Sequence, residues 1–131
     1  CLVLLACGVS LPARAADAPA AAPTILVLGD SLSAGYGIRV EQGWVALLQA
    51  RLRAKGYGHR VVNASSSGET TGGALARLPR ALATHRPAIV IVELGGNDGL
   101  RGLLVADIRR IFQAMVRRSQ QAWSKVLLAG K

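Results

Sequence analysis

The stretch TILVLGDSLSAGYG, residues 24–37, runs from a continuous apolar segment directly into a short segment rich in glycine and serine. An unbroken apolar run such as 24–29 is typical of a strand that is buried on both faces of a sheet. Gly29 permits a sharp turn at the end of that strand. Ser31 then lies where a helical turn begins, with a backbone N–H that has no partner within the helix. The stretch therefore predicts a buried strand that delivers a small polar residue to one edge of a sheet.

Strands and helices alternate through the rest of the chain. Further apolar runs predict three more strands, at 59–65, 88–96 and 125–130. Apolar residues at helical spacing predict three long helices, at 43–56, 69–87 and 105–122. Pro79 is expected to kink the second of these helices or to start a new one. This alternation is typical of a parallel sheet with right-handed crossovers, so we predict a three-layer α/β/α fold, incomplete at its C-terminal end.

The beginning of the chain differs in composition from the remainder. The apolar run 1–11 carries no charge and is shorter than the roughly 20 residues that span a bilayer. Small residues at Ala13 and Ala15 follow it, as at a signal-peptide cleavage site. We therefore expect residues 1–15 to be part of a signal peptide, residues 16–23 to be an Ala/Pro linker, and the protein to be periplasmic or secreted. Lipid attachment at Cys7 is the alternative.

Charge and cysteine content limit the classes of partner. The net charge is +9, but the aromatic residues (two Trp, two Tyr and one Phe) do not alternate with the basic residues, which disfavours nucleic-acid binding. The basic side chains are expected on solvated helix faces, and attraction to anionic lipid or to acidic substrates stays open. Both cysteines lie in the predicted signal peptide, so a mature chain would have neither a disulfide nor a thiolate metal site.

Three polar segments follow predicted strands: GDSLSAGYG (29–37), NASSSGETT (63–71) and ELGGNDGLRG (93–102). Ligands of parallel sheets bind where the carboxyl ends of the strands meet. Each segment has an ordinary structural explanation, as a helix cap, a loop and a left-handed turn respectively. Together they place a hydroxyl at Ser31, an accessible backbone N–H at Gly68 and a side-chain amide at Asn97 on one edge. A nucleophile and an oxyanion hole are the groups that catalyse acyl transfer.

These segments resemble, in order and spacing, the conserved blocks of the SGNH (GDSL) hydrolases, and the resemblance covers residues 24–131. It is greatest for the subgroup of periplasmic multifunctional thioesterases, lysophospholipases and arylesterases. The resemblance implies an SGNH, flavodoxin-like fold in which 24–131 is the N-terminal part of the hydrolase domain. It implies that Ser31 is the nucleophile, that the N–H groups of Ser31 and Gly68 and the side chain of Asn97 form the oxyanion hole, and that Asp30 supports the turn.

The same resemblance implies the chemistry and the partners. The expected reaction is hydrolysis of aryl esters, lysophospholipids or acyl-CoA-like thioesters through an acyl-enzyme on Ser31. No cofactor, metal, nucleic acid or stable membrane span is expected, and the protein is expected to be a monomer.

The sequence departs from the family at one motif. The D-x-x-H motif, which the resemblance implies as the source of the general base and its orienting acid, is absent: the histidines are His59 and His85, and neither follows an Asp by three positions. Both are expected at the surface. The sequence also begins without an initiator Met. We therefore expect either a fragment cut at both ends or the product of a truncated gene, and in both cases a chain that is inactive and poorly soluble by itself.

Two other interpretations of the sequence remain open. A non-catalytic α/β binding module derived from the same fold would retain the loops without a base. A phosphate- or nucleotide-binding protein is disfavoured, because neither G-x-x-x-x-G-K-[ST] nor G-x-G-x-x-G follows the first strand.

Overall fold

The computed structural model describes residues 21–130. The predicted signal peptide, Cys7 and most of the predicted linker lie outside this range. The four strands are β1 (Thr24–Gly29), β2 (Arg60–Asn63), β3 (Ile89–Glu93) and β4 (Lys125–Leu128). The helices are α1 (Ser31–Ala34), α2 (Trp44–Ala54), α3 (Thr71–His85), α4 (Gly96–Leu100) and α5 (Val105–Gln121), with a 3₁₀ turn at Val40–Gln42.

The strands form one parallel sheet in the order β2-β1-β3-β4. β1 is central, and its six residues are all buried, as its apolar composition predicts. Its last residue, Gly29, lies opposite Glu93 of β3, while Val27 lies opposite Asn63 of β2. The predicted α/β fold with a parallel sheet is therefore confirmed, and the first, second and third strands end side by side.

Alternate residues of the strands face two separate apolar cores. On one side, β1 and β3 pack against α3 and α5 through Leu26, Leu28, Val90, Val92, Leu78 and Met115. On the other side, they pack against α2 through Ile25, Val27, Ile91 and Val45. This period-two alternation places helices on both faces of the sheet, which gives the predicted three layers.

The structure corrects three details of the predicted elements. Of the two expectations at Pro79, a kink or a new helix, the new helix is wrong, because α3 runs without interruption from Thr71 to His85. The third strand ends at Glu93, because Gly95 adopts a left-handed backbone (φ 110°) and opens the short helix α4, which the sequence did not predict. The predicted strand 59–65 shortens to Arg60–Asn63. Among the residues that the structure describes, none of the helices combines the length and apolarity needed to cross a membrane.

Candidate active site

Ser31 is the first residue of α1, directly after β1. Asp30 caps this turn: its carboxylate Oδ1 accepts a hydrogen bond from the Leu32 N–H at 3.1 Å, and Asp30 is only 2% exposed. The turn ends after four residues at Gly35, which has φ 78°. The chain therefore presents a half-buried Ser31 on a tight turn at the carboxyl edge of the sheet.

The segment after β2 is bonded to the end of β1. The Ser66 N–H donates to the Gly29 carbonyl at 3.0 Å. The guanidinium of Arg77, on α3, pairs with the Glu69 carboxylate at 2.6 Å and donates to the Ala64 carbonyl at 2.7 Å. Both ends of the loop are thus fixed to one residue of α3. Within the loop, Gly68 is exposed and has φ 77°, a conformation that glycine adopts without steric strain.

The segment after β3 brings Asn97 to this loop. Asn97 is the second residue of α4, and its Nδ2 donates to the Glu69 carbonyl oxygen at 2.8 Å. Asn97 is therefore helical, and the left-handed residue of this turn is Gly95. The Asn97 amide lies beside the residue that follows Gly68, so two of the three proposed oxyanion donors come from adjoining segments. One amide hydrogen of Asn97 is used by the bond to Glu69, and the amide has two.

Asp98 has a structural role that the sequence pattern did not indicate. Its side chain is fully buried, and its carboxylate accepts hydrogen bonds from the Thr71 backbone N–H at 2.9 Å and from the Thr71 hydroxyl at 2.6 Å. Because Thr71 opens α3, Asp98 binds a helix N-terminus, where negative charge is stabilised. A buried carboxylate needs hydrogen-bond donors around it. The sequence signal for the Asp98–Thr71 contact is therefore the Asp of the Asn-Asp pair that follows a buried strand.

A second buried polar group links α1 to the neighbouring strands. The Ser33 hydroxyl donates to the Glu93 carboxylate at 2.7 Å and accepts from the Trp44 indole N–H at 3.1 Å. The side-chain amide of Asn63 donates to the Ser33 carbonyl at 2.7 Å. The sequence signal here is Glu93 itself, a carboxylate at the end of the apolar run AIVIV.

The two histidines lie at the other edge of the sheet. His59 precedes β2, and His85 ends α3 just before β3. β1 has six residues and rises ~3.3 Å per residue, so its ends are separated by roughly 16–20 Å. Neither histidine can therefore contact Ser31. Both are half-buried rather than on the surface, which corrects the expectation from the sequence.

A family model and individual relatives of this chain agree on one family of proteins. Residues 27–130 match the model of the GDSL-like Lipase/Acylhydrolase family. The chain is 55% identical over 111 residues to Esterase TesA of Pseudomonas aeruginosa, a match that covers 85% of this chain and 55% of the relative. It is 46% identical over 109 residues to Thioesterase 1/protease 1/lysophospholipase L1 of Escherichia coli K12, covering 83% of this chain and 51% of the relative.

A solved structure matches in three dimensions as well. The crystal structure of TesA superposes with a TM-score of 0.81 at 54% identity, over 82% of this chain and 60% of that chain. The chain thus spans about half the length of the curated relatives it matches. The family model covers most of the sequence, including the three loops described above, and the chain belongs to the GDSL-like lipase/acylhydrolase family.

Proposed function

We propose that the protein is a serine esterase or thioesterase in which Ser31 is the nucleophile. Its hydroxyl oxygen attacks the acyl carbon, and the Ser31 proton passes to a general base. The backbone N–H groups of Ser31 and Gly68 and the Asn97 side-chain amide donate to the negative oxygen of the tetrahedral intermediate. Collapse of this intermediate expels the alcohol or thiol and leaves an acyl ester on Ser31. Water then attacks that ester and releases the acid.

The observation that carries this proposal is the hydrogen bond between Asn97 and the Glu69 carbonyl. It supports a shared role for the second and third segments, because it joins them at the residue after Gly68. The bond from Ser66 to Gly29 supports the inclusion of the first segment. Esters are supported by the name of the Pseudomonas relative, and thioesters and lysophospholipids by the name of the E. coli relative.

The test uses the full-length protein with a p-nitrophenyl ester and an acyl-CoA thioester. We expect turnover of both substrates, and labelling of Ser31 by a fluorophosphonate probe. Ser31→Ala should abolish both turnover and labelling. Ser119→Ala is the matched control, because Ser119 is fully buried on α5, away from the carboxyl edge. Turnover that survives Ser31→Ala would overturn the proposal.

We propose further that residues 16–131 alone have essentially no esterase activity. His59 and His85 lie at the amino edge, so neither activates Ser31. Removal of triad members in other serine hydrolases leaves a residual ~10³–10⁴-fold acceleration over water, which is far below enzymatic turnover. Measurable turnover of a p-nitrophenyl ester by this segment, abolished by Ser31→Ala, would contradict the proposal.

The proposed location is the periplasm or the outside of the cell, and it rests on the sequence of residues 1–15. N-terminal sequencing of the exported protein should show cleavage after Ala15. Cys7→Ser should leave export unchanged, whereas loss of membrane association in that variant would favour the lipoprotein alternative.

A further inference from the structure

We propose that Ser33 and Glu93 are positioning residues for the nucleophile. Their hydrogen bond holds the turn that carries Ser31 at a fixed separation from the segment that carries Asn97. The inference rests on the proposed function, because it concerns the geometry between these two groups. Neither Ser33 nor Glu93 is proposed to contact the substrate.

The Ser33–Glu93 hydrogen bond is short and enclosed. The two oxygens are 2.7 Å apart, and the residues are 2% and 7% exposed, respectively. An indole N–H only donates, so Trp44 uses the acceptor capacity of the Ser33 hydroxyl. The single hydroxyl proton is therefore directed to Glu93. The order of donation runs one way, from Trp44 through Ser33 to the Glu93 carboxylate, which favours one rotamer of Ser33.

Ser33 also joins α1 to both strands that flank β1. Its hydroxyl is bonded to Glu93 at the end of β3, and its carbonyl accepts from Asn63 at the end of β2. α1 has four residues, too few to be stable as an independent helix. Its orientation must therefore come from tertiary contacts. Ser31 lies two residues before Ser33, and Asn97 lies four residues after Glu93, so this one contact joins the turn of Ser31 to the segment that carries Asn97.

The glycine at the end of β1 fits this arrangement. A Cβ atom on Gly29 would overlap the Cβ and Oγ atoms of Ser33. Gly29 is also the residue opposite Glu93 in the sheet. The absence of a side chain at position 29 thus creates the space in which the Ser33 side chain reaches Glu93.

The first experiment reads the contact itself in the full-length protein by NMR. The Trp44 indole N–H resonance is assigned by its loss in Trp44→Phe. In Glu93→Gln, we expect this resonance and the backbone amide resonances of Ser31 and Asn97 to shift together. In Ser119→Ala, which also changes a fully buried residue, all three should stay in place. Unchanged Ser31 and Asn97 resonances in Glu93→Gln would overturn the proposal. The NMR measurement does not depend on catalytic activity.

The second experiment compares kcat and KM per active site, counted with the fluorophosphonate probe. Displacement of reacting groups by about 1 Å costs about 10²-fold in rate, so Ser33→Ala and Glu93→Gln should lower kcat by at least ~10-fold. KM should change less than kcat, and Ser119→Ala should retain both constants.

A purely structural role would instead lower the number of active sites and leave kcat per site unchanged, which would overturn the inference. Should Ser33→Ala fail to fold, the isosteric Glu93→Gln decides the question. If the wild-type protein is itself inactive, the proposed function fails. If the wild type is active and both variants match it per site, the positioning role alone fails.

Discussion

At the scale of single residues, Asn97 is distinguished by what its amide already binds. One N–H of the amide is held by the Glu69 carbonyl, which fixes the plane of the side chain and hence the direction of the second N–H. A donor that is fixed before the substrate arrives needs no reorganisation as negative charge develops. In the proposed oxyanion hole, the bond to Glu69 would therefore preorganise Asn97 as a donor.

We predict that Asn97→Ala lowers kcat for p-nitrophenyl esters by about 10²–10³-fold in the full-length protein, the usual effect of removing one oxyanion donor. Steady-state kinetics measure it, with fluorophosphonate labelling to count active sites. Gln120→Ala is the control, because it removes an exposed amide at the far end of α5. A kcat within threefold of the wild-type value would remove Asn97 from the proposed site.

A second residue-scale prediction concerns Gly29. Gly29→Ala should lower the free energy of unfolding by about 1–3 kcal/mol, the cost of overpacking a filled interior, because the new methyl group overlaps the Ser33 side chain. Gly58→Ala is the matched change, since a Cβ there meets open space. Urea unfolding of both variants measures the difference. Equal stability of the two variants would show that the Ser33 side chain can move away without cost.

At the scale of elements, short helices at the carboxyl edge depend on contacts between segments distant in sequence. α1 is attached through Ser33, and α4 is attached to the start of α3 through Asp98. The sequence predicted a helical turn at Ser31 and the three converging segments, because strand ends and glycines are local signals. It did not predict the bonds made by Ser33 and Asp98, because their partners lie 60 and 27 residues away along the chain.

We predict that Asp98→Asn lowers the free energy of unfolding by about 2–3 kcal/mol. The amide would turn N–H donors toward Thr71, whose own N–H and hydroxyl donate to this position. Asp107→Asn, in the first turn of α5 and partly exposed, should change stability by less than ~0.5 kcal/mol. Thermal and urea unfolding provide the comparison. Similar losses in the two variants would mean that the buried contact adds nothing beyond a surface ion pair.

At the scale of the whole molecule, the order of the strands brings the three segments together. β1 lies between β2 and β3, so its carboxyl end is flanked by theirs. The alternation of strands and helices predicted this parallel sheet and its two buried faces. It could do so because the spacing of apolar residues in each segment can be read from the local sequence. The continuity of α3 through Pro79 and the helical state of Asn97 did not follow, because the local sequence also allowed a new helix at Pro79 and a left-handed turn at Asn97. β4 lies at one edge of the sheet, beside β3, and is more exposed than the buried central strand β1.

Within the described part of the chain, β4 lies at an edge of the sheet and exposes both its backbone edge and apolar side chains. Leu127 and Leu128 are each at least half exposed. Leu128 also lines an open, largely apolar groove with residues of α5: Val105, Ile108, Phe112 and Val116, together with Arg109, Gln113 and Arg117. An unpaired, apolar edge strand is a template for association with another chain. We therefore expect residues 16–131, produced alone, to self-associate in a concentration-dependent manner.

A charge on this edge should oppose that association, as lysine does on natural edge strands. We predict that Leu128→Lys shifts residues 16–131 toward the monomer, measured by size-exclusion chromatography with light scattering at several concentrations. Leu47→Lys is the matched control, because Leu47 is 56% exposed, against 50% for Leu128, but lies on α2, away from the β4 edge. If both substitutions raise the fraction of monomer equally, the added net charge explains the effect. If only Leu128→Lys does, the β4 edge is the surface through which the copies associate.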